Sequence, residues 1–359
     1  MIDIRNTGIN SLLASEILNF SSDIAERIEN ISSYHFQINN SIRDCLSNDH
    51  IRYFSDSFLN FDYDFLAVDG SNFLDRKIIG DLCAVMAIGL PFNINEKNET
   101  RDSLYFVNVE SRSSLNDKLT SGLMSLFELK IATDSLFEKA VWLDGSFISI
   151  LNNIVQAFNI LDNAPINSLI KDRFLEICSD TQFKHNFHNF LLSDRCIFFP
   201  KLSSIDFLSS NGFSFPDVRG IDTKILMHSI LYTNEYIVFD KGRIVDFSSY
   251  QKFFDFIGLE ISLLEKYYEN QKYLFFKPWK FATSIRVDFQ SGLDLSEVMS
   301  LIKNFSSQPD IYEPLPLFIV DRLVKDISIV CGHALDQSII SQLNNPELKD
   351  LFYRSYRTR

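Results

Sequence analysis

Two segments of this chain place a carboxylate among the same neighbours: AVDGSNF around Asp69 and WLDGSFI around Asp144, 75 positions apart (144 − 69). Asp-Gly followed by Ser is typical of turns, so each motif alone has an ordinary structural interpretation. Each also follows an apolar run with the pattern of a buried strand, and ligands bind at strand ends in open α/β sheets. A charged group there needs compensation, which a divalent cation would provide.

On neighbouring strands the two carboxylates would converge, and their repulsion would disfavour an uncompensated pair near neutral pH. Hard cations such as Mn²⁺ or Mg²⁺ take oxygen ligands, so the sequence predicts a site for such an ion. Glu128, in the helix before the second motif, is a further candidate ligand. Asp321 interrupts the apolar stripe of LPLFIVDRLVKDIS. It is either paired, for example with Arg322 or Lys325, or a ligand, and the sequence leaves both interpretations open.

The elements that must position these residues follow an α/β pattern. Apolar runs predict three consecutive strands, a meander, of which the first is FLAVDG at Phe65–Gly70. A helix is predicted over Leu119–Lys139, then a strand at Ala140–Ser146 and, after further helical sequence, a strand at Arg195–Lys201. Because a helical crossover joins parallel strands, the sheet is expected to have mixed strand directions.

The sequence predicts one elaborated domain with a helical arm. Apolar positions at helical spacing predict the arm over residues 1–62. The main domain spans 63–340, with a mainly helical insertion at about 213–270, and residues 341–359 form a C-terminal tail. Strand character returns after the insertion in YLFFKPWKFATSIRVDF.

Composition restricts the class of protein. The 359 residues include 34 basic and 47 acidic side chains, a net charge of −13, so any contact with nucleic acid must be local or supplied by a partner. Five widely spaced cysteines without a C-x-x-C pair indicate neither a disulfide framework nor a zinc site. The apolar runs are too short to span a bilayer and no leader is visible, so a cytoplasmic protein without membrane contact is expected. P-loop and Rossmann motifs do not occur.

The order of these motifs resembles that of the NurA nucleases over about residues 60–330. The segments that carry the resemblance are AVDGS, a Glu-containing helix, WLDGS, FFPKLSS at Phe198–Ser204, SIRVDF at Ser284–Phe289 and YEPLPLFIVDRLVKDIS. The resemblance implies an RNase H-like fold, a mixed α/β sheet flanked by helices. It also implies a Mn²⁺-dependent deoxyribonuclease, with Mg²⁺ as the alternative ion, that acts on single-stranded DNA and on DNA ends.

The resemblance extends to mechanism and partners. It implies phosphodiester hydrolysis with two metal ions and without a protein nucleophile. It also implies a homodimer that works with a hexameric HerA-type translocase, in 5′–3′ DNA end processing during repair or in anti-phage defence.

Carried over by position, Asp69 resembles the metal ligand on the first strand of the family and Asp144 the ligand on the later strand. Glu128 is the choice for the helical acid, although its spacing to Asp144 is a little short and leaves Glu110 or Glu138 open.

Asp321 occupies a place where some relatives carry His. Lys201 resembles the strand-end lysine of the family, which is suited to the scissile or an adjacent phosphate as a point charge. A solvated lysine at a strand end is the ordinary interpretation.

A basic and aromatic segment, FFKPWKF at Phe275–Phe281, offers local contact with DNA despite the negative net charge. Such a mixture suits contact with the backbone plus base stacking on single strands, although an ordinary amphipathic strand has the same pattern. The candidate DNA-binding residues are Lys277, Trp279, Lys280 and Arg286.

Two other functions stay open on the sequence alone. An actin-like or sugar-kinase-like ATPase also uses two Asp-Gly-Ser turns on an RNase H-like core to hold nucleotide phosphates. Against it, 75 residues (144 − 69) is a short repeat for that core and no late Gly-Gly element is present. A non-catalytic adaptor of a translocase ring would keep the fold with a decayed site.

Overall fold

The computed structural model describes residues 20–21, 23–27, 29, 40–46, 50–55, 64–93, 102–136, 139–163, 168–201, 208, 210–213, 222–240, 242, 245–306 and 313–353. The strands among them are β1 Arg52–Tyr53, β2 Asp64–Arg76, β3 Asp81–Asn93, β4 Asp102–Glu110, β5 Ala140–Asp144, β6 Cys196–Phe199, β7 Glu235–Phe239, β8 Gln271–Phe276 and β9 Ile285–Gln290. The α-helices are α1 Asn116–Ser135, α2 Phe147–Ile160, α3 Leu169–Ser179, α4 Thr181–Leu191, α5 Thr223–Ile230, α6 Gln251–Ile257, α7 Ile261–Glu269, α8 Leu295–Phe305, α9 Leu315–Gln342 and α10 Pro346–Tyr353. None of the described helices is both long and apolar enough to cross a membrane.

All nine described strands form one sheet, in the order β1-β7-β8-β9-β6-β5-β2-β3-β4. β2, β3 and β4 form the predicted antiparallel meander. β5 and β6 extend the sheet from β2 by parallel pairing, and helices connect these strands. Three antiparallel strands followed by two parallel ones is the arrangement of an RNase H-like sheet, so the predicted fold class is confirmed.

Both faces of the sheet are buried at its centre, along β5, β6 and the first part of β2. Alternate residues of a strand point to opposite faces. Leu66 and Val68 pack into a core with helices α1 to α4, whereas Phe65 and Ala67 pack into a second core with α8 and α9. Burial on both sides explains why these strands read as continuous apolar runs rather than alternating ones.

The segment predicted as a helical insertion, residues 213–270, is only partly helical. It contains α5, α6 and α7, but it also contains β7, which pairs with β1 and β8 and belongs to the central sheet. The strand character predicted after it divides into β8 and β9, which pair antiparallel around a loop at residues 277–284. A four-residue apolar run such as Tyr236–Phe239 of β7 suits a strand or a buried helical turn, so periodicity did not separate them.

The two ends of the chain contribute to the packed structure. Residues 40–46 are helical, as predicted for the arm, and the Arg43 guanidinium donates to both carboxylate oxygens of Glu235 on β7, at 2.7 and 2.8 Å. β1 then joins the edge of the sheet. In the predicted tail, Phe352 of α10 is buried. Residues 1–19 of the predicted arm lie outside the described part of the chain.

Helix α1, which carries Glu128, lies across the meander and packs against α2. The two helices approach most closely at Gly122. An added Cβ there would lie 2.1 Å from Ala157 Cβ and 2.8 Å from the Asn153 carbonyl oxygen. The absence of a side chain at Gly122 therefore sets the distance between the two helices and, through it, the position of Glu128.

We expect Gly122→Ala to lower the free energy of unfolding by roughly 1–3 kcal/mol, because the added methyl group must push α1 and α2 apart. Gly332→Ala is the matched control: Gly332 is also buried within a helix, but its added Cβ would meet only the Phe73 ring, at 3.2 Å. Urea unfolding of both variants is the measurement. Equal losses of stability in the two would contradict the assignment of a special close approach to Gly122.

Candidate metal centre

The register of two parallel strands places Asp69 and Asp144 side by side. Pairing of β2 with β5 aligns Val68 with Leu143, and the two aspartates are the next residue of each strand. Trp142, two residues before Asp144, packs in the core on the α9 side. Because side chains two residues apart share a face, both carboxylates point toward that side as well. The two motifs are far apart in the sequence, but the register of one strand pair thus brings their aspartates together.

The two Asp-Gly-Ser motifs have different structures. In the second, Gly145 has a φ of +89° at the turn from β5 to α2, and the Ser146 side chain caps α2 by accepting from the backbone N–H of Ser149. The first motif is not a turn, because β2 continues through it to Arg76. The prediction that the first strand ends at Gly70 is therefore wrong, and this motif does not form the phosphate-binding turn that the ATPase alternative requires.

Gly70 instead makes room for a carboxylate. A Cβ added at Gly70 would lie 2.6 Å from Glu128 Oε1, so only glycine lets this side chain of α1 reach the strand without a shift. Gly70 continues the face of Val68, so Glu128 approaches β2 from the side opposite to Asp69. Glu128 is 6% exposed. The carboxylates of Asp69 and Glu128 therefore lie on opposite faces of β2, at the neighbouring positions 69 and 70.

Helix α9 brings a third aspartate to the pair. One oxygen from each of Asp69, Asp144 and Asp321 lies within 4.8 Å of the others, and we call these three residues the carboxylate cluster. Asp69 Oδ2 and Asp144 Oδ1 are buried and have no hydrogen-bond partner within the described residues. Orphaned buried oxygens in an all-oxygen donor set are what a hard divalent cation would satisfy, so the cluster fits such an ion.

Two lysines neutralise part of the negative charge. Lys201 Nζ lies 2.6 Å from Asp144 Oδ2 and 3.9 Å from Asp321 Oδ1. Lys325 Nζ, one helical turn after Asp321, lies 2.5 Å from its Oδ1. The pairing of Asp321 with Lys325 agrees with one of the two interpretations that the sequence left open, and Asp321 also belongs to the cluster.

Burial and mutual repulsion keep protons on the buried acids. Burial, and next the charge of Asp144, raises the pKa of Asp69 to about 8. Burial, followed by the charges of Asp69 and Asp144, raises the pKa of Glu128 well above its ordinary value. For Asp321, burial acts upward, but hydrogen bonding to Lys325 and the charge of Lys201 hold its pKa below the ordinary value. A cation bound at the cluster would have to displace the proton of Asp69.

Glu128 is not one of the three residues of the cluster, and its alternative Glu110 lies elsewhere. Glu110 is buried at the end of β4, where its Oε1 accepts hydrogen bonds from the Asn108 side chain at 2.8 Å and from the backbone N–H of Ile170 at 3.1 Å. It therefore fastens α3 to the meander. Glu138 lies outside the described residues.

Sequence analysis missed two charged residues beside the cluster. Glu313 Oε2 lies 3.6 Å from Lys201 Nζ, and Lys224 of α5 lines the same cleft, of about 310 Å³, as Lys201 and Glu313. Burial raises the pKa of Glu313. A signal existed for Glu313, which directly precedes the Pro314 at the start of the helix that carries Asp321. The local sequence of Lys224 contains no such signal.

Three of the four predicted DNA-binding residues lie on the loop 277–284. Lys280 is exposed. Trp279 is 36% exposed, and its indole N–H donates to the Lys303 carbonyl oxygen at 3.1 Å. Lys277 is half-buried, and its ammonium donates to the His228 carbonyl oxygen at 3.0 Å. Lys280 therefore points its charge to solvent, while Lys277 and Trp279 also fasten the loop to α5 and α8.

Arg286 lies apart from that loop, on β9, where it lines the cleft together with Lys201 and Lys224. Its guanidinium is 8% exposed and donates to both carboxylate oxygens of Asp288, at 2.8 and 2.7 Å. Arg286 and Asp288 alternate with the apolar residues of β9, but both are buried in the sheet and neutralise each other. The charge of Arg286 is therefore already paired within the sheet.

We expect Asp69→Asn to stabilise the metal-free protein at pH 8 and not at pH 4. The folded-state pKa of Asp69, about 8, exceeds its unfolded value near 3.8, so the native state loses stability as pH rises between them, by up to roughly 1.4 kcal/mol per pH unit. Asparagine removes that dependence. Urea unfolding in EDTA at both pH values is the measurement, with Asp326→Asn, an exposed site on α9, as the control. A variant less stable than the wild type at pH 8 would contradict the raised pKa.

Known proteins resemble this chain in structure rather than in sequence. No family model matches the sequence, and no curated protein matches it either. The solved NurA nuclease from Sulfolobus solfataricus is 16% identical, with a TM-score of 0.57 over 90% of this chain and 98% of that one. A NurA structure bound to dAMP and manganese is 12% identical, with a TM-score of 0.59 over 93% of this chain and 98% of its own. The sequence resemblance is thus confirmed in three dimensions, and this chain has the fold of the NurA nucleases.

Proposed function

We propose that this protein is a metal-dependent deoxyribonuclease that hydrolyses phosphodiester bonds. The observation that carries the proposal is the carboxylate cluster, three aspartates with two orphaned buried oxygens at the level where β2 and β5 stop pairing. The shared fold supports it, since one structure of that fold holds dAMP and manganese. Clustered carboxylates on neighbouring strands are suited to holding cations against a phosphate.

The three aspartates of the cluster would share the role of metal ligand, and Glu128 would act beside them. Asp69, Asp144 and Asp321 would hold Mn²⁺, or alternatively Mg²⁺, with two ions as our expectation and Glu128 as a further ligand or a proton-bearing neighbour. Bound ions of this kind supply the positive charge that activates water and stabilises the leaving oxygen. The protein itself then needs no nucleophilic side chain, and its task is to hold the acids and the substrate backbone in place.

Lys201 is suited to the substrate phosphate. Its ammonium is paired with Asp144, but the side chain is 51% exposed and lines the cleft next to the cluster. Divalent cations at the cluster would compete with it for the carboxylate, which would leave its charge available to the scissile or an adjacent phosphate.

We further propose single-stranded DNA and DNA ends as the substrate, with 5′–3′ processing by exo- or endonucleolytic cuts. A cleft of about 310 Å³ is at the small end of ligand sites, which suits one strand better than a duplex. The loop 277–284 adds Lys280 and Phe281, which is 75% exposed, as a surface for phosphate contact and base stacking.

The net charge of −13 argues that the isolated chain binds DNA weakly, so a partner should deliver the strand. We propose a homodimer that docks on a hexameric HerA-type translocase, in DNA repair or anti-phage defence. Light scattering would measure the mass, for which the single chain gives 41.5 kDa. Co-elution with such a ring would test the second partner.

Binding of Mn²⁺ should depend on the cluster and on pH. We expect Mn²⁺ to raise the melting temperature of the wild type, with an affinity that increases as pH rises toward 8 because Asp69 must lose its proton. Asp144→Asn should abolish the effect, and Lys201→Met should bind Mn²⁺ more tightly, since it removes a cation 2.6 Å from a ligand oxygen. Calorimetric titration with Mn²⁺ checks both, with the exposed Lys252→Met as the control. Unchanged affinity in Asp144→Asn would remove the proposed centre.

Cleavage should depend on the same residues. With Mn²⁺ and a labelled single-stranded oligonucleotide, we expect Asp69→Asn and Asp144→Asn to slow hydrolysis by at least about a hundredfold. Asp326→Asn should cleave as the wild type does, and EDTA should stop all cleavage. Gel analysis of the products also reports polarity. No cleavage by the wild type, alone or with the translocase ring, would favour the adaptor interpretation, and stabilisation by ATP rather than Mn²⁺ would favour an ATPase.

A further inference from the structure

The cleft beside the carboxylate cluster is lined by a lysine, Lys224, that the proposed chemistry does not use. The cleft is lined by Phe199, Pro200, Lys201, Lys224, Ile285, Arg286, Glu313 and Pro314. Three of these residues are cations. Arg286 is neutralised by Asp288 within the sheet, and Lys201 is engaged by Asp144 and Glu313. Lys224 is the remaining one.

Lys224 is a half-buried cation without a fixed partner. Its ammonium forms no ion pair or hydrogen bond with another side chain in the part of the chain that the structure describes. Burial lowers its pKa, against the upward effects of Asp222 and Glu313. A desolvated lysine is unfavourable unless an anion approaches it, so its place in an open cleft indicates an anionic ligand.

The fold connects Lys224 to the exposed loop 277–284 as well as to the cluster. Lys224 is the second residue of α5. One turn later on that helix, the carbonyl oxygen of His228 accepts a hydrogen bond from the Lys277 ammonium. The His228 ring nitrogen accepts from the backbone N–H of Ser284 at 3.3 Å. Ile285, the next residue, lines the cleft. Two hydrogen bonds therefore connect the loop to α5, and the cleft is lined both by Lys224 of that helix and by Ile285, which directly follows the loop.

We infer that Lys224 binds a backbone phosphate of a single DNA strand, next to the phosphate that is cleaved, and so guides the strand from the loop 277–284 into the carboxylate cluster. The inference rests on the proposed nuclease function and adds a substrate contact to it. Lys201 would then serve the scissile phosphate and Lys224 its neighbour. Lys280 and Phe281 would hold the strand before it enters the cleft.

The test measures binding without metal and without cleavage. Fluorescence anisotropy with a labelled oligothymidylate in EDTA gives the Kd of the wild type, Lys224→Met, Lys224→Arg and Lys252→Met. Lys252 is an exposed lysine of α6 that pairs with Asp162 away from the cleft. We expect Lys224→Met to weaken binding about three- to tenfold and to reduce the slope of log Kd against log salt by about 0.7, the value for one phosphate contact on a single strand. Lys224→Arg should keep most of the affinity, and Lys252→Met should match the wild type.

Two results would overturn the inference. One is a Lys224→Met protein with wild-type melting temperature whose Kd and salt slope equal those of the wild type. The other is a wild type whose affinity does not depend on salt, since that would exclude phosphate contacts. If Lys224→Met fails to fold, the polar and uncharged Lys224→Gln takes its place, and a wild-type Kd and salt slope in that variant would overturn the inference in the same way. Cleavage by the aspartate variants is measured separately, so failure of the nuclease proposal and failure of this contact give different results.

Discussion

Repulsion between carboxylates that the fold forces together is the constraint on which this structure depends. Parallel pairing of β2 and β5 holds Asp69 and Asp144 level, and α9 adds Asp321 from above the sheet. The interior offers these charges little solvation, so protons on Asp69 and the ammonium of Lys201 compensate them in the metal-free state. Repulsion within the cluster therefore lowers the stability of the metal-free native state, as is common at sites suited to a cation.

The rest of the sheet is arranged around that point. α1 packs on one face and α9 on the other, and each contributes an acid to the same two residues of β2. On the other side of β6, strands β7 to β9 carry the loop 277–284, and Ile285 and Arg286 of β9 line the cleft together with Lys224 of α5. One half of the sheet thus carries the clustered acidic residues, and the other half carries cations and aromatic rings beside them.

Local sequence was enough to identify the acids because they break strong apolar patterns. Asp69, Asp144 and Asp321 each interrupt a run that otherwise predicts a buried element, so their types alone suggested a site. The meander, the parallel crossover and most helix positions followed from periodicity in the same way. Periodicity could not show the role of each glycine. Gly70 permits the close approach of a side chain and Gly145 forms a turn, although both follow Asp.

The features that the sequence did not predict also have physical causes. Arg286 and Asp288 alternate with apolar residues as a solvated face would, yet they face buried structure and pair with each other. β7 is a short apolar run, which carries no period that could separate it from helix. Lys224 matters only because α5 packs beside the cleft, and that placement arises from contacts between segments remote in sequence.

Strand pairing, rather than the length of chain between them, determines which residues stand opposite one another on β2 and β5. Connections elsewhere could therefore grow or shrink during divergence and leave the acids in place. A slip of one residue in β5 would rotate Asp144 toward α1 and present Leu143 to Asp321 instead, and the cluster would be lost. Selection on such an arrangement acts on hydrogen-bond register, which many sequences can satisfy, and this explains how a shared architecture persists at 16% identity.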